Sequence, residues 1–399
     1  YNVRGGSFDE NSIYINGNEI YRPFLIKSGQ QEGLSAISPY MVENIDFSNG
    51  GFTAKYGDKM SSVLDITYKK PEKFESVVSA SLMSADAYIG FGNKKFSWTN
   101  SFRYNNNRFL LNSLETSGEY RPNFTDYQTY FSYRPNSKWS FDIIGNYNSN
   151  HYNFYPKTRE TTFGTMDNVK SFNVYFDGQE NDIFKTTSAT FGITRQFSPT
   201  SSISLIASSF TSNEKEQYDI QSQYWLTQTE SQENLGVGTF FEHARNYLKA
   251  NVNILKLILK HNIDKHNIEA GITLKDEHIK EYSNEYEMRD SSGYSIPHTG
   301  NDLNMIYSLN ANNRINSRRI ESYIQDTWKF SSANENTLFT LNYGARISHW
   351  SYNKETIVSP RISLVVIPSF NKNITLRLAT GVYYQAPFFK ELRDTTNTN

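Results

Sequence analysis

The sequence predicts an all-β fold: a transmembrane antiparallel β-barrel whose lumen holds a small N-terminal domain, here called a plug. Three observations support this prediction. Apolar and polar residues alternate along most of the chain, short polar turns alternate with longer polar segments, and a glycine-turned module precedes the alternating region. Outer-membrane barrels have strands that are apolar on one face and connections that are short on one side, so this pattern is typical of them.

The module before the alternating region covers residues 42–70. Two β-rich runs in it are separated by Gly50, Gly51 and Gly57, and Pro71 follows the second run. Glycine tolerates positive φ and close backbone approach, so these positions predict tight turns in a small β-domain.

Alternation with a period of two begins near Val77 and ends near Tyr384. Phe96, Trp98 and Phe102, for example, share one face of an early strand, and small polar residues lie between them. A pattern with one apolar face indicates half-exposed strands, and we count about thirteen of them.

A barrel with a plugged lumen has about 22 strands, and an open sheet edge in hydrocarbon would leave backbone amides unpaired. We therefore expect the chain to be part of a longer one, with its N-terminus lying inside a plug motif. The predicted division is the C-terminal part of a plug over residues 1–71 and the N-terminal part of the barrel over residues 72–399.

The connections predict which ends of the strands face the cell exterior. The short turns lie near residues 105–107, 135–138, 198–200, 261–265, 331–336 and 368–373. The longer segments lie near 116–126, 149–184, 213–245 and 281–318. A first strand that leaves the plug and runs outward from Val77 assigns every short turn to the periplasm and every long segment to the exterior.

Composition limits the other classes of function. The formal net charge is −1, which gives no basic face for nucleic acid, and the absence of cysteine excludes thiol chemistry and disulfides. The mean hydropathy is −0.64, and no apolar run of about 18 residues is present to form a membrane helix. No catalytic motif or convergent metal ligand set appears, so we predict no enzyme activity, no metal and no cofactor.

Five short motifs in order resemble one known family. They are Val3-Arg4-Gly5-Gly6, Ile13 to Gly17, Ile20 to Phe24, Gly50-Gly51-Phe52 with Tyr56-Gly57, and Ser61 to Asp65. Together they resemble the plug of TonB-dependent outer-membrane receptors, in the branch that carries a carboxypeptidase-regulatory-like domain before the plug. Asn16 stands where that family more often has Asp, and Asp58-Lys59 where it often has Gly-Arg.

The resemblance implies a receptor in the outer membrane of a Gram-negative bacterium. Such a receptor captures a scarce extracellular solute and imports it with energy delivered by a periplasmic TonB-type coupling protein. Its partners would be outer-membrane lipid, the solute and the coupling protein, and a surface lipoprotein is left open as a further partner. The plug residues that we expect to be structural or gating are Arg4, Gly5, Gly6, Asn16, Gly17, Gly50, Gly51, Tyr56 and Gly57.

Aromatic residues fall into two groups. Trp139, Trp328 and Phe330 lie near predicted short turns, and Tyr147 and Trp350 lie near the opposite strand ends, as in the aromatic girdles of membrane barrels. The candidate ligand contacts in the long segments, where stacking suits sugars or aromatic siderophores, are Tyr152, Phe154, Tyr155, Tyr218, Tyr224 and Trp225.

Two other functions remain open at this point. A plug-barrel protein that no longer transports could serve as a scaffold in an outer-membrane export or assembly complex. A segment before the plug that binds the coupling protein would favour transport over this alternative. A passive porin or a soluble β-protein fits less well, because a porin has no plug and a sandwich needs no strands of membrane length.

Overall fold

The structure, a computed structural model, describes residues 3–6, 10–21, 37–57, 59–108, 118–165, 168–231, 234–291, 303–332, 337–387 and 392. Residues 22–24 of the third motif and Asp58 therefore lie outside the described residues. In this part of the chain, no helix has the length and hydropathy needed to cross a membrane.

Two separate β-sheets make up the fold. The first, the small sheet, has the strand order β2-β1-β4-β3. Its strands are β1 (Asn11–Ile15), β2 (Asn18–Glu19), β3 (Val42–Ser48) and β4 (Ser62–Tyr68). β1 runs parallel to β4, whereas the other two pairs are antiparallel. A 3₁₀ helix, Pro39–Met41, immediately precedes β3.

The second sheet, the large sheet, contains fourteen strands. They are β5 (Glu75–Ala80), β6 (Ser84–Gly92), β7 (Phe96–Asn105), β8 (Gly118–Asn136), β9 (Trp139–Pro156), β10 (Arg159–Thr165), β11 (Asn168–Ser198), β12 (Ser201–Gln228), β13 (Asn234–Ile263), β14 (His266–Ser291), β15 (Asn304–Ser331), β16 (Leu338–Trp350), β17 (Glu355–Ile367) and β18 (Leu376–Gly381). Neighbours in sequence pair antiparallel from β5 to β18, except that β9 pairs with β11 and β10 forms a side hairpin on β11. The prediction of an all-β antiparallel fold is confirmed.

The large sheet curves around the small one. Ser101 of β7 and Arg377 of β18 both bond to the segment that contains the small sheet, although their strands are far apart in the strand order. A flat sheet could not bring both strands to one small domain. The large sheet therefore has an inner face, which contacts the small sheet, and an outer face.

The outer face carries a band of exposed apolar side chains. Ile272 is 51% exposed, Ile324 59% and Leu259 49%, and each lies in the half of its strand nearer the short turns. Apolar residues that point away from the protein over several adjacent strands match the lipid-facing band of a membrane barrel.

The strands are far longer than a bilayer requires. β11 has 31 residues and β13 has 30, whereas about 9–11 tilted residues cross the hydrocarbon core. The prediction of long loops is wrong in this respect: most of 116–126, 149–184, 213–245 and 281–318 continues as paired strand. The alternation persists beyond the membrane-facing band in more polar residues, which the sequence pattern made us assign to loops.

One short turn lies at the other end of the sheet from its predicted place. Residues 105–107 follow the end of β7 that is opposite to the turn at 137–138, because β7 and β8 are antiparallel. The error comes from a missed hairpin, β5–β6, whose tight turn is stabilised by hydrogen bonds from the Ser84 backbone N–H to Ser81 Oγ, at 2.9 Å, and between the two hydroxyls. Because this turn is so short, the alternating pattern of β5 and β6 predicts a single strand.

Candidate functional site: the contact between the two sheets

The β1–β2 hairpin is built by Asn16 and Gly17. Both have positive φ, 50° and 75°, the backbone that the two central residues of a type I′ turn require. Asn16 also accepts a hydrogen bond at its Oδ1 from the Tyr68 backbone N–H, at 2.9 Å. The amide that replaces the more usual carboxylate thus ties the turn to β4.

The other predicted motif residues come together in two places. At one, the Arg4 guanidinium lies against Gly50, and Gly6 packs beside Ser61 and Glu10. Gly5, with a φ of 77°, completes this turn. A guanidinium has several donors, so the sequence favours Arg4 as a clamp on a plug or barrel carboxylate. The structure places Arg4 against the backbone of Gly50, and the clamp stays a prediction.

At the other place, Gly57 packs against the guanidinium of Arg346 and Tyr56 lies next to it. The Tyr56 hydroxyl donates a hydrogen bond of 2.7 Å to Asp65 Oδ2, which also pairs with Lys55 at 3.4 Å. Burial raises the pKa of the Tyr56 phenol, and the Asp65 carboxylate raises it further. Tyr56 therefore remains a hydrogen-bond donor at neutral pH.

Three arginines on successive strands bind the backbone of one segment. This segment, residues 51–57, connects β3 to β4. Its carbonyl oxygens at Gly51, Thr53, Lys55 and Tyr56 accept hydrogen bonds from Arg377, Arg361, Arg346 and again Arg361, in that order. Charged donors make the stronger hydrogen bonds, and a planar guanidinium presents several donors at once. We call this contact the arginine side.

The arginines are held in turn by the inner face. Arg346 pairs with Glu321 on β15, and both side chains are less than a tenth exposed. The Lys55 backbone N–H donates to Gln325 Oε1 of the same strand at 3.0 Å. The Arg361 guanidinium also lies 5.0 Å from the ring centre of Phe52 and 4.5 Å from that of Tyr383. The arginine side is thus a network of polar and cation–π contacts.

The opposite contact, which we call the apolar side, has a different composition. Ile13, Ile66 and Met41 pack in one buried cluster with Tyr130 of β8 and Ile144 of β9. The inward-facing strand positions of the sequence are mostly Ser, Thr, Asn and Arg, which predicts a polar contact throughout. That prediction is wrong here and holds for most of the arginine side, where buried Phe52 also packs edge-on against Tyr383 at 4.8 Å.

A buried ion pair supports the apolar side. Arg103 donates from Nε and Nη2 to Asp126 Oδ2, at 2.8 and 2.6 Å, and from Nη1 to the Ile37 carbonyl. The Ser38 backbone N–H donates to Gln128 Oε1, which also accepts from the Tyr68 hydroxyl at 2.8 Å. Ser38 Oγ lies 2.7 Å from Ser101 Oγ of β7. These bonds fix the segment before β3 to the wall.

The candidate ligand aromatics lie on strands, which corrects their assignment to loops. Tyr152, Phe154 and Tyr155 belong to β9, and Tyr218, Tyr224 and Trp225 belong to β12. Even-numbered residues of both strands share the face of Ile144 and Ser204, which line the space beside the small sheet. Tyr152, Phe154, Tyr218 and Tyr224 are therefore on the inner face, whereas Tyr155 and Trp225 are on the outer face.

Two of the inward aromatics already form a packed group. The Tyr120 ring centre lies 6.2 Å from that of Tyr152 and 4.8 Å from that of Phe154. Tyr152 is only 4% exposed. It supports its neighbours, and Phe154, Tyr218 and Tyr224 have more surface available for a ligand.

The outer aromatic band is partly as predicted. At the short-turn end, the Trp328 and Phe330 rings lie 4.4 Å apart, and Trp139 stacks on Phe141 at 6.2 Å. Trp350, however, lines an inner pocket with Arg319 and Arg346 and is 8% exposed, so its assignment to the girdle is wrong. As the last residue of β16 it pairs with Arg319, whose guanidinium covers its ring.

Sequence reasoning did not predict that arginines of the inner face bind the backbone of residues 51–57. The usable signal is that Arg346, Arg361 and Arg377 each occupy an inward position of an alternating strand, where a charge cannot face lipid. Among the described residues, no group of three or more His, Asp or Glu side chains is arranged to hold a metal ion.

Comparison with known proteins identifies the family. The model of the family described as TonB dependent receptor-like, beta-barrel matches residues 132–399. A search of curated proteins finds no match. The family is one of bacterial outer-membrane proteins, and this match covers more than half of the chain.

Several solved structures are similar at low identity. BauA, the ferric preacinetobactin receptor of Acinetobacter baumannii, is 12% identical with a TM-score of 0.47, and the match covers 90% of this chain and 54% of that one. The outer membrane transporter YddB of Escherichia coli is 9% identical with a TM-score of 0.35, over 91% of this chain and 67% of that one. The chain thus spans about half the length of BauA. By the residues that the family model matches, the protein belongs to the TonB dependent receptor-like β-barrel family of the outer membrane.

Proposed function

We propose that the protein binds a scarce extracellular solute and imports it across the outer membrane with energy from a periplasmic TonB-type coupling protein. In this proposal residues 1–71 are part of a plug and residues 72–399 part of the barrel wall. The small sheet ends at Tyr68 and the large sheet begins at Glu75, which supports a boundary near residue 71.

The asymmetry of the contact between the two sheets carries the proposal. On the apolar side, buried hydrophobic side chains and the Arg103–Asp126 pair hold the small sheet. On the arginine side, hydrogen bonds to four backbone carbonyls hold residues 51–57, together with one aromatic contact between Phe52 and Tyr383. When residues 51–57 detach, their backbone carbonyls can exchange the arginine hydrogen bonds for hydrogen bonds to water. An apolar cluster has no such replacement, and exposing it costs about 25 cal/mol per Å².

This difference assigns a direction to the movement of the plug. The apolar side stays attached to β6–β9, and the segment 51–57 detaches from β15–β18 when the coupling protein pulls. Detachment opens a path along the inner face. Toward the exterior, this face carries Phe154, Tyr218 and Tyr224. Those three aromatics are the proposed contacts for the solute.

Growth of a deletion strain tests the function. The gene is deleted, and growth is measured on limiting concentrations of a panel of iron complexes, vitamins and oligosaccharides, with and without the complementing gene. We expect one solute class to require the gene, and its uptake to stop when the proton-motive force is collapsed. Uptake that continues without the proton-motive force would make the protein a passive channel, and no growth difference on any solute would favour the scaffold function.

A further inference from the structure

A cavity of about 400 Å³ lies between the small sheet and the inner face of β9 and β11–β13. It is near the short turns, on the periplasmic end in the proposed orientation. Its neutral lining includes Tyr14, Tyr56, Tyr130, Thr190, Thr194 and Ser204. A space of this volume holds about a dozen water molecules, or a small polar solute.

Charged side chains line the same cavity, and all but one form ion pairs. Lys55 pairs with Asp65, Lys70 with Asp142, and Lys260 with Glu269, each at 3.4 Å. The remaining lysine, Lys256, has no carboxylate within ion-pair distance among the described residues. Its ammonium donates one hydrogen bond, of 3.1 Å, to the carbonyl oxygen of Gly17.

Lys256 therefore supplies a positive charge without an ion-pair partner to a partly enclosed space. An ammonium has three donors, and the Gly17 carbonyl uses one of them. Two hydroxyls nearby, Thr194 Oγ1 and Ser204 Oγ, are hydrogen-bonded to each other at 2.8 Å and retain acceptor and donor capacity. A cation away from bulk water attracts an anion that can accept its free hydrogen bonds.

We propose that this cavity is an oxyanion site, in which Lys256 binds the carboxylate or phosphate group of a solute that passes the small sheet. The role of this site in import rests on the proposed function, because a solute would bind there only after it passes through the lumen. The binding itself is a property of the cavity and is measured without transport.

The experiment uses a reporter cysteine, because the native chain has none. Thr194→Cys, in the cavity wall, is introduced into the full-length protein in outer-membrane fragments. Its labelling rates are measured with an anionic sulfonatoethyl and a cationic trimethylammonioethyl methanethiosulfonate, each normalised to a small free thiol. We expect Lys256 to favour labelling by the anionic reagent. Lys256→Gln should lower the ratio of anionic to cationic labelling rates by about fivefold, because one nearby charge is lost at low dielectric.

Controls separate a local charge effect from a fold defect. Lys256→Arg should keep the ratio, and Lys249→Gln, an exposed lysine on the opposite face of the same strand, should not change it. A second reporter, Thr229→Cys, lies in the turn between β12 and β13 at the far end of the sheet. Its ratio of labelling rates should be the same in all variants.

Inorganic phosphate tests binding directly. Compared with chloride at equal ionic strength, it should slow labelling of Thr194→Cys, and this protection should disappear with Lys256→Gln. The proposal is overturned if either the reagent ratio or the phosphate protection is unaffected by Lys256→Gln. Loss of solute import with both effects intact would contradict the import function and leave the oxyanion site standing.

Discussion

The Nη1 atom of Arg361 lies 2.5 Å from the carbonyl oxygen of Tyr56, which joins β17 to a residue 305 positions earlier in the chain. The same atom lies 2.9 Å from the carbonyl of Thr53. One guanidinium nitrogen thus binds both ends of a turn in the segment 51–57. This pair of bonds makes Arg361 the central residue of the arginine side.

Arg361→Gln should loosen the segment 51–57. Hydrogen bonds to charged groups contribute about 1.5–3 kcal/mol, so loss of both should raise amide exchange in this segment by at least tenfold. Hydrogen–deuterium exchange of the purified protein measures the change. Arg377→Gln is the matched control, because Arg377 is exposed and makes one bond of 3.1 Å to the Gly51 carbonyl. Equal effects of the two variants would contradict the central role of Arg361.

Gly51→Ala should disturb the contact far more than Gly5→Ala. Both glycines have positive φ, 64° and 77°, so each alanine carries a similar backbone strain of about 1–2 kcal/mol. A Cβ at Gly51 would lie 2.5 Å from the Cβ of Ala379, whereas a Cβ at Gly5 meets nothing within 4 Å. Limited proteolysis of residues 51–57 measures the difference, and Gly51→Val should be worse still. Indistinguishable cleavage of the two alanine variants would argue against close packing of Gly51 on β18.

Ile272→Arg should destabilise the protein by about 2–4 kcal/mol, because the residue lies in the middle of the lipid-facing band. Leu376 is similarly exposed but is less suitable for this test, since it is the first residue of β18. His278→Arg is the control: it lies on the same face of β14, six residues further from the short turns, with 48% of its side chain exposed. Reversible unfolding in lipid vesicles gives the free energy of unfolding of each variant. A similar loss of stability for the two substitutions would contradict the position of the lipid-facing band.

Whole-cell labelling should confirm the orientation. Thr229→Cys and Asn107→Cys lie at the long-strand end and should react with an impermeant maleimide, whereas Asn136→Cys, at a short turn, should not. The Asn107 position distinguishes the observed topology from the sequence prediction, which put residues 105–107 in the periplasm. Labelling of Asn136→Cys in intact cells would invert the assignment.

The sequence predicted the strands better than their contacts. Period-two alternation shows which residues share a face, so the inward position of Arg361 and the outward position of Ile272 follow from local pattern. Which carbonyl Arg361 binds depends on the curvature of the large sheet and on a partner 305 residues away. Alternation could not reveal this, nor could it show that inward Tyr130 and Ile144 meet apolar residues of β1 and β4.

Some glycine positions could likewise be explained from the sequence, and others only from the structure. Asn16-Gly17 is a local turn signal, and the structure has a tight turn there. At Gly57 the requirement is steric and comes from Arg346, a residue of β16. A sequence shows that a glycine is present, but only the packed structure shows whether φ or a neighbour demands it.

In the proposed import mechanism, the small sheet detaches on the arginine side and stays attached on the apolar side. Two engineered disulfides test it in a chain that has no other cysteine. Ser38→Cys with Ser101→Cys tethers the apolar side, where the two hydroxyls are 2.7 Å apart. Gly51→Cys with Ala379→Cys tethers the arginine side, where a shift of about 1 Å reaches disulfide geometry.

Solute uptake is measured for each pair in the oxidised and reduced states, with the single cysteines as controls. We expect the oxidised arginine-side pair to lose uptake and reduction to restore it to the level of the Gly51→Cys single variant, while the apolar-side pair transports in both states. Uptake at that same level with a complete disulfide between positions 51 and 379 would contradict detachment on the arginine side.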